Sequence, residues 1–182
     1  TQSPATVSAF TGQVLGGMDD RFDFQLITGE LQDGEGMSPL AGSYHTFGNN
    51  GTHATNEAIT TGTGAAADVL TALAQSSDHL PVVAAYQLPA KLGVQVASVP
   101  SSVAAGAAVS VDVLIQNLAS AITALGADEL DYTLSVTGDL LGGTTGTIAA
   151  LAAGQTRQFS LNTSTPGLKN GVVTVSTSSQ GA

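Results

Sequence analysis

The residues best suited to chemistry lie in one run, residues 77–83, which reads Ser-Asp-His-Leu-Pro-Val-Val. Asp78 and His79 place a carboxylate beside an imidazole, and imidazole is the side chain that titrates nearest to neutral pH. An apolar, β-branched stretch follows at once, as is typical of a buried strand. The run therefore predicts a charged pair at the mouth of a sheet, where water and ligands can reach it.

A further carboxylate, Asp23, lies in residues 20–27, which read Asp-Arg-Phe-Asp-Phe-Gln-Leu-Ile. Alternation of apolar and polar side chains predicts a strand over residues 22–28. Strand interiors are depleted of Asp, and a buried carboxylate needs a partner. An imidazole can be that partner, because a carboxylate on one ring nitrogen sets the tautomer of the ring.

Together these segments resemble the endonuclease/exonuclease/phosphatase superfamily, the deoxyribonuclease-I-like metal-dependent phosphoesterases. The likeness is carried by the Ser-Asp-His-x-Pro-Val string and by the upstream Arg-Phe-Asp-Phe segment. Residues 44–51, Tyr-His-Thr-Phe-Gly-Asn-Asn-Gly, are similar to a secreted bacterial subgroup of that superfamily. The resemblance covers roughly residues 1–88.

The resemblance implies a role for each of three residues. Asp78 would be a metal-site or water-activating carboxylate. His79 would contact the scissile phosphate and share proton transfer, with Asp23 as its orienting partner. The implied reaction is attack of water on a phosphate ester or nucleic acid, with Mg²⁺ or Ca²⁺ offsetting the charge.

Other parts of the superfamily's site have no counterpart in this sequence. The resemblance calls for a Glu metal ligand, an early Asn, a central His or Tyr, and a Gly-Asp-Phe/Leu-Asn motif. Only twenty residues precede Arg21, and none of these motifs is among them. We therefore expect the C-terminal portion of a secreted bacterial enzyme, a fragment that is inactive unless its missing N-terminal half is bound.

Three other polar groups invite a metal interpretation. His45 and His53 are more simply polar loop residues, and Asp19 and Asp20 are not part of a calcium-binding Asp-x-Asp-x-Asp-Gly loop. Residues 128–131, Asp-Glu-Leu-Asp, predict a turn, with cation binding as the minor alternative.

Composition narrows the choice of function. The 182 residues include four Lys plus Arg and fourteen Asp plus Glu, for a net charge of −10. Such a field repels phosphate backbones and anionic membranes, so a phosphate ligand would need divalent cations. The absence of Cys excludes disulfides and thiolate metal sites. No apolar stretch predicts a membrane span, and high Thr and Ser with little Lys suggest a secreted protein.

The remaining elements follow from local pattern. An Ala-rich segment predicts a helix over residues 65–75, and strands are predicted over residues 44–47 and 81–88. From Leu92 onward, short alternating segments recur between Gly, Pro, Asn and Ser residues, which is typical of an antiparallel β-sandwich. The predicted strands of this half are 92–99, 109–117, 132–137, 146–149, 156–161 and 172–177.

The predicted fold class is mixed. Residues 1–89 would be an incomplete α+β unit, the closing part of a two-sheet phosphoesterase sandwich, and residues 90–182 an all-β antiparallel sandwich. The second half resembles, at the level of class, the immunoglobulin-like modules appended to secreted bacterial enzymes. A second hypothesis is a structural or adhesive role in a surface layer or filament, with homo-assembly through open sheet edges.

Overall fold

A computed structural model describes residues 23–53 and 57–179. These residues form two compact units. One contains residues 23–27, 39–53 and 57–85, and the other contains residues 28–38 and 86–179. The described chain is rich in antiparallel β-structure and has one α-helix within it.

The first unit is built on a two-stranded sheet and a helix. Strands β1 (His45–Thr46) and β2 (Val82–Val83) are antiparallel, and helix α1 spans Ala67–Ser76. The helix is rich in Ala, and Asp68 in its first turn interacts favourably with the helix dipole. Its core is formed by the buried side chains of Ile59, Leu70 and Leu80.

The predictions for this unit were partly correct. The helix and the short strand at residues 44–47 are confirmed. The strand predicted over residues 22–28 is wrong for its described part, because residues 23–28 have no regular secondary structure. The apolar side chains of this segment are exposed, Phe24 by 57% and Leu26 by 94%. The remaining residue of that prediction, Phe22, lies outside the described residues.

The strand predicted over residues 81–88 is shortened to β2. Beyond Val83 the regular ladder is interrupted, since the amide of Ala85 donates to Oγ of Ser43 (3.0 Å), although its carbonyl still accepts a hydrogen bond from the amide of Leu40 (2.8 Å). The same hydroxyl contacts the carbonyl oxygens of Leu40 (2.6 Å) and Ala85 (3.1 Å). A serine hydroxyl that bonds to backbone groups competes with regular pairing, so the strand ends early.

The second unit contains seven strands in two antiparallel sheets. The strands are β3 (Leu92–Val96), β4 (Ser110–Asn117), β5 (Leu130–Gly138), β6 (Leu140–Leu141), β7 (Gly143–Ile148), β8 (Gln155–Leu161) and β9 (Gly171–Thr177). One sheet has the order β3-β4-β8-β6, and the other has the order β7-β5-β9. All six strands predicted for this half are present, and the two-residue strand β6 was missed because it is too short to show a period.

The two sheets pack face to face around one hydrophobic core. The first sheet contributes buried side chains that alternate along its strands, namely Val111, Val113, Ile115 and Phe159. The second sheet contributes Leu130, Tyr132, Leu134 and Ile148. Each such side chain stabilises the fold by roughly 1.5–3 kcal/mol relative to exposure. The alternation seen in the sequence of β4 therefore does mark its buried face.

No helix within residues 23–53 and 57–179 combines the length and apolar character that crossing a bilayer requires.

A polar network lies at the edge of this core. The hydroxyl of Tyr132 donates to Oε1 of Gln155 (2.7 Å), and Nε of Arg157 donates to the same hydroxyl (2.7 Å). The guanidinium of Arg157 also lies 5.8 Å from the centroid of the Tyr132 ring. Gly146 pairs with Tyr132 across the strands and has no side chain, which leaves room for both groups.

We predict that Gly146→Ala destabilises the second unit by about 1–3 kcal/mol through overpacking. An added Cβ would lie 2.5 Å from the Tyr132 hydroxyl and 2.8 Å from Nη2 of Arg157, and both groups are held by hydrogen bonds. Urea unfolding followed by circular dichroism measures the change. Gly29→Ala is the matched control, because its Cβ would meet no atom within 4 Å. Equal stability of the two variants would contradict the prediction.

Candidate functional site

The first unit brings together two of the residues chosen from the sequence. Nδ1 of His79 lies 2.8 Å from Oδ2 of Asp23, although 56 residues separate them in the chain. The two side chains are 45% and 44% exposed, so the contact is open to solvent on one side. It is a short hydrogen bond between an imidazole and a carboxylate at the protein surface.

His79 is held in place by the residues around it in the Ser-Asp-His-Leu-Pro run. Helix α1 ends at Ser76, and Oγ of Ser77 accepts a hydrogen bond from the amide of His79 (3.0 Å). Leu80 is buried in the core, and the carbonyl of Pro81 accepts a hydrogen bond from the amide of Phe47 (2.8 Å). The imidazole therefore projects from a loop that is fixed on both sides.

Asp23 lies on a segment without regular secondary structure. Gln25, two residues later, connects that segment to β2 and to Tyr44, the residue before β1. Nε2 of Gln25 donates to the carbonyl of Val82 (3.1 Å). The amide of Gln25 donates to the hydroxyl of Tyr44 (3.4 Å). Sequence reasoning assigned neither Gln25 nor Tyr44 to the site, because both ties join residues far apart in the chain.

This arrangement can perform acid–base chemistry. A neutral imidazole carries a proton on one nitrogen and a lone pair on the other. A carboxylate acceptor at Nδ1 favours the tautomer with the proton on that nitrogen, which makes Nε2 the basic atom. Orientation by a carboxylate is how histidines are set for proton transfer at catalytic centres.

A complete metal site is not assembled by the described residues. Asp78 is partly buried beside His79. No group of three His, Cys, Asp or Glu side chains that could hold a metal occurs within residues 23–53 and 57–179. Mg²⁺ and Ca²⁺ also take backbone carbonyls and water as ligands, so the carboxylate of Asp78 alone does not define a site. The metal-binding role of Asp78 therefore stays a prediction.

The other two histidines make local contacts. Nδ1 of His45 lies 2.7 Å from the carbonyl of Ser43. Nε2 of His53 lies 3.0 Å from Oδ1 of Asn49. The interpretation as loop residues holds for His53, which lies outside the helices and strands, but it is wrong for His45, which lies in β1. The residues Asp19 and Asp20 lie outside the described part of the chain.

An acidic cluster forms in the second unit. Asp128 is buried, and its Oδ2 accepts a hydrogen bond from the amide of Gly36 (2.8 Å). The turn predicted over residues 128–131 is wrong. Residues 128–129 have no turn conformation, and Asp131 lies in β5, where it accepts a hydrogen bond from the hydroxyl of Thr147. Sequence reasoning missed Glu35, which joins this cluster from a loop about ninety residues earlier.

The ionised form of Glu35 is unfavourable in the folded state. Burial, followed by the charges of Asp128 and Asp131, raises the pKa of Glu35 above its ordinary value of 4.5. The folded state then binds the proton of Glu35 more tightly than the unfolded state does. Stability is therefore lost as pH rises through the raised pKa, and the loss is absent below the ordinary value.

We predict that Glu35→Gln raises the midpoint of thermal unfolding at pH 7, because it removes the ionised carboxylate. The gain should shrink as pH falls through the raised pKa and vanish below about 4.5. Thermal scans from pH 4 to pH 7 measure it. Glu30→Gln, an exposed position in the same loop, removes the same charge as a control. A stabilisation that does not depend on pH would contradict the prediction.

Similarity to known proteins adds nothing to these geometric observations. No family model, curated protein or solved structure matches the chain. Membership of the endonuclease/exonuclease/phosphatase superfamily, and with it the catalytic roles of Asp23, Asp78 and His79, therefore stays a prediction that rests on the residues themselves.

Proposed function

We propose that the first unit belongs to a secreted metal-dependent phosphoesterase or nuclease, and that Asp23 and His79 are its acid–base pair. The observation that carries the proposal is the 2.8 Å contact between Nδ1 of His79 and Oδ2 of Asp23. Both residues lie in sequence contexts that resemble the same superfamily. In finer detail, the unit would be the closing part of a two-sheet phosphoesterase sandwich, followed by an immunoglobulin-like module.

In this proposal the pair acts on the phosphate group. Asp23 holds the proton on Nδ1, and the protonated form of His79 donates from Nε2 to a phosphate oxygen. Water forms a new bond to phosphorus and loses a proton to a base such as Asp78, while the bond from phosphorus to the ester oxygen breaks. That oxygen leaves with the proton that His79 donates, so an alcohol and a phosphate are released. A bound Mg²⁺ or Ca²⁺ would offset the phosphate charge, which matters in a chain of net charge −10.

The proposal also explains why further residues are needed. The described residues bring together one imidazole and one carboxylate, and they hold no group of three metal ligands. The remaining ligands would come from the N-terminal half that the resemblance calls for. We therefore propose that residues 1–182 alone are inactive.

We predict phosphodiesterase activity that is confined to an N-terminally extended form of the chain, assayed on bis-p-nitrophenyl phosphate and on DNA with Mg²⁺ or Ca²⁺. In that form, His79→Ala and Asp23→Asn should each lower kcat/KM by about 10²–10⁴-fold, the usual contribution of acid–base catalysis. His45→Gln is the control, because the imidazole of His45 contacts the carbonyl of Ser43 and the substitution keeps the backbone pairing with Val83. An extended form that is inactive with both metals would contradict the proposal.

A second candidate function is assembly through a sheet edge, and strand β3 favours it. The pairs Lys91–Leu118 and Ala97–Asp112 are hydrogen-bonded towards β4. Since bonding alternates along an antiparallel pair, the even-numbered residues between them direct their backbone groups to the open edge. Val94 and Val96 among them are 43% and 60% exposed. An open, apolar edge is a template for pairing with another strand.

We predict that the chain self-associates if this edge is used, and that Val96→Lys weakens the association about tenfold. Covering one Val contributes roughly 1.5 kcal/mol, and an edge Lys opposes strand pairing. Sedimentation velocity over a range of concentrations measures the effect. Leu125→Lys is the control, because Leu125 is an apolar residue outside the strands and is 73% exposed, somewhat more than Val96. A solely monomeric wild-type chain would rule out this function.

A further inference from the structure

We infer that Gln25 is the positioning residue of the Asp23–His79 contact, with Tyr44 as its support. The catalytic meaning of this inference rests on the proposed function, but the positioning itself does not. It would add two residues to a site for which the sequence predicted only Asp23, Asp78 and His79.

The segment that carries Asp23 needs such a tie. Residues 23–28 have no regular secondary structure, so no ladder of strand hydrogen bonds sets their distance from His79. A single contact between two half-exposed side chains leaves a segment free to pivot about that contact. A second point of attachment near Asp23 therefore limits the directions in which Oδ2, 2.8 Å from the ring, can move.

The side chain of Gln25 supplies that attachment to the same partner segment. Asp23 contacts His79, and Gln25, two residues later, donates from Nε2 to the carbonyl of Val82, three residues after His79. Two to three extended residues span roughly 7–10 Å. The two contacts thus join the same pair of segments at two separated points, which sets the direction of the Asp23 segment as well as its distance.

Tyr44, which lies next to β1, makes a weaker hydrogen bond with Gln25. Its hydroxyl accepts a hydrogen bond from the amide of Gln25 at 3.4 Å, near the upper limit for such a bond. Tyr44 directly precedes β1, which pairs with the β2 residue Val82 through Thr46. The side chain of Gln25 is therefore held by strand β2, and its backbone amide is held by the residue that directly precedes β1.

Substitutions of Gln25 can separate the effect of its hydrogen bond from the effect of its size and shape. The bond to Val82 requires a donor, and Gln supplies one through its amide. Gln25→Glu keeps the shape but places a carboxylate against a carbonyl, where neither group can donate. Gln25→Leu removes the donor without adding a charge. Both substitutions should release the Asp23 segment from β2.

The test is the tautomer of His79 in the 182-residue chain, read from long-range ¹H–¹⁵N spectra of its imidazole. Spectra are taken at about pH 8.5, above the ordinary histidine range. Wild-type His79 should be protonated mainly on Nδ1, and Asp23→Asn shows the spectrum that follows loss of the carboxylate. Gln25→Glu and Gln25→Leu should each lower the ratio of Nδ1-protonated to Nε2-protonated ring by about tenfold, as expected for loss of a charged hydrogen bond. Tyr44→Phe should lower it by less.

The controls separate positioning from general loss of packing. The signals of His45 and His53 serve as internal references and should not move. Gln95→Glu adds the same charge on the exposed side of β3 and should leave the His79 ratio unchanged. The inference is overturned if the ratio in both Gln25 variants equals the wild-type ratio, or if all three histidines change together. Because no metal or substrate is present, an inactive extended form would overturn the proposed function and leave this result untouched.

Discussion

Burial of Leu80 against Ile59 and Leu70 is the constraint on which the candidate site depends. A buried side chain at this position fixes the loop between α1 and β2, and the preceding residue, His79, is left at the surface. The hydrogen bond from the His79 amide to Ser77 fixes the other side of the loop. The apolar residues of the motif thus hold the imidazole in place, and its polar residues provide the chemistry.

The second unit obtains its stability from a different arrangement. Its two sheets share a core of aliphatic side chains, with Phe159 and Tyr132 as the aromatic members. The hydroxyl of Tyr132 is not left unsatisfied, because Gln155 and Arg157 bond to it. A buried polar group without a hydrogen-bond partner would destabilise the fold, and these two hydrogen bonds remove that cost for the hydroxyl of Tyr132.

The excess of acidic side chains affects the carboxylates of the chain. With fourteen acidic and four basic side chains, the chain has few cations with which to neutralise its carboxylates. Asp139 is one that is neutralised, since Lys169 and the amide of Asn170 contact it and the backbone hydrogen bond from Asn170 lowers its pKa. Glu35 lies among other acids, and its pKa moves in the opposite direction. A phosphate ligand would meet the same excess of negative charge, which is the physical reason for expecting a divalent cation in the proposed reaction.

The sequence by itself determined the elements whose signal is local. Alternation along β4 and the Ala-rich run of α1 predicted their structure, because period and composition act over a few residues. The motif around His79 likewise identified Asp78 and His79 as candidates for chemistry. Only the tertiary structure decided how the segment that contains Asp23 is held, since a strand-like alternation there is overruled by contacts with Tyr44 and Val82. Such contacts join residues 19 and 57 positions apart, and local pattern carries no information about which distant donor and acceptor meet.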